Sequence, residues 1–459
     1  MRRRNQNGSS LVFLLGFLAV IGAVVYVYNS ETFERNAPEV IVEKNIHWNL
    51  KKPIKITIKD AAGISNYKVV LVSKTEEKVL SAQTFDIPEE HTSVELEVEY
   101  PKIGGSLKYK DAMLFVEATD SSKWDFFTGN TVVTQSKVTI DQKRPIVSTI
   151  VNSYKIKKGG SAVVVFQAKD ENLDKLYIDT NFGKKFIPQP FHKKGYFISL
   201  IAWPVHEKNF RATVIAEDKA GNISRAAVGI RTFDKKYKTS RINLSKEFLN
   251  GKIAELASVF EKTQGVDNAL SQFTLINEDV RAENEKLIHG VTSKVPKEKV
   301  TDLALLPFKP LKSYSIIATF GDKRNYYHRN RKVSTSYHLG IDIAHVANAP
   351  ITTRNKGEVV FAQPNGIYGN LPIVHHGMGL YTIYGHCSSL AVTETDQVKN
   401  GSVLGYTGKT GMAFGDHLHF GILVQGIEVR PAEWIDQEWM KLNIRTIIKQ
   451  AKQIIDRSN

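Results

Sequence analysis

A chain of 459 residues is too long for one ordinary hydrophobic core, and usual domain sizes predict about three folded units. Its 42% apolar and 24% charged residues exclude a disordered or fibrous chain, and a net charge of +15 suits an anionic polymer or surface without choosing one. Lysines fall in scattered pairs, such as Lys157 with Lys158 and Lys184 with Lys185, with no interleaved aromatics to stack bases, so no nucleic-acid partner is expected. The single cysteine, Cys387, excludes an intramolecular disulfide and reads as a small packed residue rather than a nucleophile.

Residues 1–10 form a basic tail with Arg2, Arg3 and Arg4, and residues 11–28 are an uncharged apolar run near the roughly 20 residues that span a bilayer. The run reads as a transmembrane signal anchor. Cationic flanks stay in the cytoplasm, so the rest of the chain is expected in the periplasm, held at the inner membrane by a single pass. Tyr26-Val27-Tyr28-Asn29-Ser30 lacks the small-x-small pattern of a cleavage site, which favours an anchor over a cleaved signal peptide.

The fold class is mainly β. Residues 37–141 and 142–234 alternate short β-rich runs with turn residues, as in Ile54-Lys55-Ile56-Thr57-Ile58 and Ala162-Val163-Val164-Val165-Phe166, the signature of antiparallel sandwiches. A weak internal repeat supports two immunoglobulin-like modules: Glu117-Ala118-Thr119-Asp120 is echoed by Ala216-Glu217-Asp218, and Lys59-Asp60-Ala61 by Lys169-Asp170-Glu171. Neither carries a catalytic pattern, and a spacer role is the preferred reading.

Between 240 and 295 the period changes to that of helices. Leu249, Ile253, Leu256 and Phe260 form one apolar stripe, and Leu270, Phe273, Ile276, Val280 and Leu287 a second. This is a helical hairpin linker, with Asp267 expected to cap the second helix and Gly290 to end it. It reads equally as a stiff connector or as a lid.

Residues 305–436 carry the chemistry. Tyr337-His338-Leu339-Gly340-Ile341-Asp342-Ile343 is followed by Tyr384-Gly385-His386 and then by His417-Leu418-His419-Phe420-Gly421. Imidazole nitrogen and carboxylate oxygen suit zinc, and a catalytic zinc keeps three protein ligands and one open position. Gly340 with the β-branched Ile341 and Ile343 disfavours a helix around His338, so the pair is expected where a loop enters a strand. Strand alternation sends His417 and His419 to one face, and Leu418 and Phe420 to the other. His345, His375 and His376 match no ligand position and read as structural. Tyr326, Tyr327, His328 and Arg331 read as a surface loop before the motif. Asp416 is placed either to orient His417 or simply in solvent.

These three elements in this order, with Asn365-Gly366-Ile367-Tyr368-Gly369-Asn370, Gly405-Tyr406-Thr407-Gly408 and Val429-Arg430-Pro431 around them, resemble the lysostaphin and LytM family of zinc endopeptidases. The resemblance covers about the last third of the chain and implies a small antiparallel β domain with zinc in a groove open to an extended peptide. It implies that His338, Asp342 and His419 hold Zn2+, and that His386 and His417 act on the attacking water and the developing oxyanion, with the base role falling to His417. Proline is common in the family where Asp416 stands here. With a periplasmic address, it implies cleavage of peptidoglycan peptide cross-links, between D-alanine and meso-diaminopimelate, as an endopeptidase with possible carboxypeptidase activity. The alternative is a silent family member that activates cell-wall amidases, a role that needs no ligand set. Wall-assembly proteins are candidate partners of the β modules. Residues 437–459, with Trp439, Leu442, Ile447, Ala451 and Ile455 at helical spacing, predict a C-terminal helix that packs on a domain.

Overall fold

The structure, a computed structural model, describes residues 7–74, 76–101 and 110–458; the three arginines expected to set the membrane orientation lie outside the described residues. The protein is mainly β, and it divides into two compact units. One reaches to Arg144 and takes in the short returns Asn172–Asp174 and Glu217–Ile223; the other comprises Pro145–Glu171, Lys175–Ala216 and Ser224–Asn459.

The first unit opens with the helix Asn7–Asn29, whose Leu11, Phe13, Phe17 and Val24 are exposed. Among the described residues, Leu11–Asn29 is the one stretch of helix long and apolar enough to cross a membrane. After it, a three-stranded sheet with Ile54–Lys59 at its centre and a five-stranded sheet containing Ile64–Ser73 and Asp111–Asp120 share one core. Alternation sends Ile54, Ile56 and Ile58 inward to join Val69, Leu114 and Val116.

Residues 145–227 make two further four-stranded sheets, one of them ordered Gln189–Pro190, Tyr196–Ala202, Ser161–Lys169 and Ile146–Asn152. This second sheet pair packs against the C-terminal part of the chain. Gln425, on the turn after the strand Leu418–Val424, donates to Ile187 O at 3.0 Å and accepts from Ile187 N at 2.8 Å. Trp434 Nε1 donates to Ser161 Oγ at 3.0 Å, and Ser153 Oγ to Asn443 O at 2.8 Å. The C-terminal helix Thr446–Arg457 buries Ile447, Ala451 and Ile455 against the same strands, whereas Leu442, in the preceding turn, is exposed.

The helical hairpin forms as Lys246–Val259 and Ala269–Thr292, each with an internal wide turn, at Leu249–Ile253 and Ile276–Val280. Two details differ from the sequence expectation. The cap of the second helix is Asn268, whose Oδ1 accepts from Leu270 N and Ser271 N, and not Asp267: the residue immediately before the first helical turn has the extended backbone a cap needs. Gly290 does not end the helix, because buried Ile288 and Thr292 hold the last turn, with Thr292 Oγ1 donating to Ile288 O at 2.7 Å. Nor is the segment from Tyr326 to Arg331 a surface loop. Lys323–His328 and Arg331–Tyr337 form a hairpin, and Tyr326 is buried against Phe273 of the helical hairpin.

The last sheet is antiparallel. Its order is Ser315–Ala318, Ile341–Ala344, Leu418–Val424, Leu380–Gly385, Asn370–His375, Gly357–Pro364 and Gln397–Val398, with Ile427–Val429 paired to the third strand. Leu418–Val424 is buried on both faces, which makes it the rigid centre on which a site can be placed.

Candidate metal centre

His338 lies in the connection between the strands Arg331–Tyr337 and Ile341–Ala344, and Asp342 on the second of them, held by sheet as the β-branched neighbours required. His419 sits on the central strand, opposite Asp342 on one side and Gly385 on the other, and His386 follows directly after Gly385. Leu418 and Phe420 point into the core, with Phe420 against Tyr384 and Phe308. The sheet thus gathers all five sequence-predicted residues into one groove of about 630 Å³.

Three ligand-type atoms converge. Nε2 of His338 is 2.9 Å from Oδ1 of Asp342 and 3.2 Å from Nδ1 of His419, and the last two are 2.9 Å apart. His338 donates Nδ1–H to Thr319 O at 3.0 Å, which leaves Nε2 as a lone pair. All three residues are buried. Three acceptors at this spacing repel unless a cation neutralises them, and ligand atoms around a tetrahedral ion with bonds of about 2.0–2.1 Å stand about 3.3 Å apart. The donor set therefore fits a divalent metal, with imidazole and carboxylate chemistry suited to zinc.

The second ring nitrogen of His419, Nε2, is buried without a partner and abuts Gly340, where a Cβ would lie 2.6 Å from it. Only glycine lets the ring take this pose. Burial lowers His419, against the opposing pull of Asp342.

His386 and His417 flank the triad, ring centroids 4.8 Å apart. His386 donates Nδ1–H to Thr410 O at 2.8 Å, and His417 donates Nδ1–H to Gly415 O at 2.8 Å, so each keeps Nε2 as its free acceptor. Nε2 of His417 is 3.8 Å from Oδ1 of Asp342. Burial first, then the neighbouring His419 and His417, pushes His386 down to about 3, so it is a neutral acceptor at rest. Asp416 stands at the surface, where its Oδ2 accepts from Asn348 N at 3.1 Å.

The other histidines lie outside the triad. His376 is buried between Lys356 O and Thr382 Oγ1, and His375 stacks on Tyr381. Burial pushes the Cys387 thiol up to about 12, consistent with a packed residue. Sequence reasoning missed Arg324, whose Nη2 is 3.5 Å from Oδ2 of Asp342, and Tyr368, whose ring meets His419 edge-on at 5.6 Å. Arg324 lies two residues before the segment read as surface, on the strand Lys323–His328; its place beside an aromatic cluster was the available signal.

Residues 336–431 match the model of Peptidase family M23. Over 94 residues the chain is 35% identical to the DD-carboxypeptidase/endopeptidase Mpg of Neisseria meningitidis, covering 20% of this chain and 22% of that one. It is 31% identical over 117 residues to the peptidoglycan DD-endopeptidase ShyA of Vibrio cholerae, covering 26% and 27%. A crystal structure of a candidate peptidase M23 from Pseudomonas aeruginosa superposes with a TM-score of 0.37 at 21% identity, covering 61% of this chain and 94% of that one. The chain thus spans about a fifth to a quarter of the curated relatives it matches. The groove that joins His338, Asp342 and His419 to His386 and His417 lies within the matched stretch, and the chain carries a domain of the lysostaphin and LytM type, peptidase family M23.

Proposed function

We propose that this protein is a zinc metallopeptidase that hydrolyses the peptide cross-links of peptidoglycan, with the D-alanyl to meso-diaminopimelate bond as its target. The observation that carries the reading is the convergence of Nε2 of His338, Oδ1 of Asp342 and Nδ1 of His419, with two further histidines beside them whose Nε2 atoms are free. An activator of other enzymes has no use for that arrangement.

His338, Asp342 and His419 would hold the zinc, which supplies Lewis-acid polarisation of the scissile carbonyl and lowers the pKa of a water toward about 7. His417, whose Nε2 lies 3.8 Å from Oδ1 of Asp342, takes the proton from the attacking water and returns it to the leaving amine. The carbonyl of Gly415 holds its ring in the tautomer that accepts. His386, whose Nδ1–H is committed to Thr410 O, presents the lone pair of Nε2 to the same space, where it accepts a hydrogen bond from the attacking water and helps to orient it. Thr319 O orients His338 in the same manner, from behind the ligand.

The helix Asn7–Asn29 is the single-pass anchor in this reading, with the catalytic domain in the periplasm and the boundaries at 37–141, 142–234, 240–295, 305–436 and 437–459 marking the successive modules. The sheet pairs are immunoglobulin-like and offer surfaces to wall-assembly proteins. Incubating the protein with purified peptidoglycan and identifying the products by mass spectrometry tests the function. Cross-linked dimers should yield monomers with intact D-alanine termini, dependent on zinc. Products unchanged, together with stimulation of an added amidase, would replace the enzyme reading with that of an activator.

A further inference from the structure

The helical hairpin meets the groove at several points, with Phe248 stacked on Phe414 and Arg281 beside Met412, and Asn284 is the one that bonds the turn before His386. Asn284, on the helix Ala269–Thr292, accepts the N–H of Ile367 on Oδ1 at 2.9 Å, and its carbonyl accepts from Asn365 Nδ2 at 3.2 Å. Both partners belong to the tight turn at Gly366–Tyr368. Gly366 has φ +50°, and a Cβ there would lie 2.2 Å from Asn284 Oδ1, so the helix side chain occupies the space that any other residue would fill.

The same turn holds His386. Tyr368 O accepts the backbone N–H of His386 at 2.7 Å, while Ile367 O accepts from Met412 N at 2.8 Å and Thr410 Oγ1 accepts from Asn370 N at 3.1 Å. Thr410 in turn supplies the carbonyl that fixes the His386 ring. His386 has φ +65°, a backbone region that costs a non-glycine residue about 1 kcal/mol, so its pose depends on these external bonds. The chain of contacts is continuous, from Asn284 through Ile367 and Tyr368 to the backbone of His386, and through Met412 and Thr410 to its ring.

We propose that Asn284 is a positioning residue for His386, so that the helical hairpin, and not the catalytic sheet alone, sets the pose of that histidine. This rests on the role given to His386 in the proposed function. A displacement near 1 Å at a reacting group is enough to cost about a hundredfold in rate, so loosening the turn should act on turnover and leave both the metal and substrate binding in place.

The test uses the full chain in detergent, with Asn284→Ala, Asn284→Asp and His386→Ala, zinc-loaded, on a defined cross-linked muropeptide. Asn284→Ala should lower kcat by about 10- to 100-fold, with KM within about twofold and zinc stoichiometry unchanged. Asn284→Asp keeps the acceptor for Ile367 N and should restore kcat to within about threefold. An activity-independent readout accompanies these: the Nδ1–H proton of His386, sheltered by Thr410 O, should be seen by NMR in the wild type and Asn284→Asp, and be lost or shifted in Asn284→Ala. An unchanged proton and a kcat for Asn284→Ala within twofold of wild type overturn the proposal, as does loss of zinc in step with activity. If the proton behaves as expected while His386→Ala turns over normally, or while the wild type releases nothing, the positioning stands and it is the catalytic reading of His386 that falls.

Discussion

Asp342 and His419 are register partners on adjacent antiparallel strands, and Oδ1 of one lies 2.9 Å from Nδ1 of the other. The two central donors of the proposed metal site are therefore fixed by backbone pairing and not by loop conformation. His419→Ala and His338→Ala should lose zinc during purification, with activity falling below detection. His417→Ala and His386→Ala should retain close to one zinc per chain and lose roughly a hundredfold to ten-thousandfold in rate. Metal analysis of the four variants beside muropeptide release checks this, and zinc retained by His419→Ala but lost by His417→Ala reverses the assignment within the pair.

Gly340 offers a steric test of the same site. A methyl there meets Nε2 of His419 at 2.6 Å and Phe420 O at 2.7 Å, both on the fixed central strand. Gly340→Ala should turn the ring away, weaken zinc affinity at least tenfold in a chelator competition, and cost about 1–3 kcal/mol of stability. Affinity equal to wild type would show that the strand yields more readily than its burial indicates.

Glu433 carries a pH dependence independent of catalysis. Burial, opposed by Arg430, the N–H of Ser161 and Lys157, raises its carboxyl from 4.5 to about 7. The folded protein thus holds a proton that the unfolded chain releases earlier. Stability from this group is greatest below about 4.5, falls as pH rises through the window from 4.5 to about 7, and is flat above it. The fall is roughly 3 kcal/mol at most. Melting curves across that window should show Glu433→Gln losing this slope relative to wild type; parallel curves would mean that Arg430, 3.3 Å away, already neutralises the charge.

The apolar helix makes a prediction about address. Reporter domains fused after Phe233 should be active only when the reporter works outside the cytoplasm, because Leu11–Asn29 carries no charge and the arginines precede it. A cytoplasmic reporter active at that position removes the wall substrate from consideration.

The site was legible in the sequence because its chemistry is local: His338 and Asp342 are four residues apart where a connection enters a strand, and His417 and His419 are two apart at the start of the central strand, where alternation favours one face. What joins the pairs is strand order, and here the family resemblance supplied what spacing did not. The helical hairpin was visible as a change of period, but its cap was misplaced by one residue, since Asp267 and Asn268 are equally good caps in isolation and only the chain path distinguishes them. Tyr326 was misread because a polar-flanked aromatic cluster looks like surface until the helix bearing Phe273 covers it. Asn284 was invisible, being an ordinary polar residue on a helix whose partners lie 81 and 83 positions away.

The seam between the second sheet pair and the catalytic strands has a practical consequence. Gln425, Glu433 and Trp434 each spend their polar atoms on Ile187 or Ser161. A fragment trimmed to begin at residue 305 would leave those buried groups stranded and uncover the indole, a recipe for aggregation rather than a minimal enzyme. A fragment that keeps the seam must therefore include the strands that carry Ser153 and Ser161 and the segment that carries Ile187.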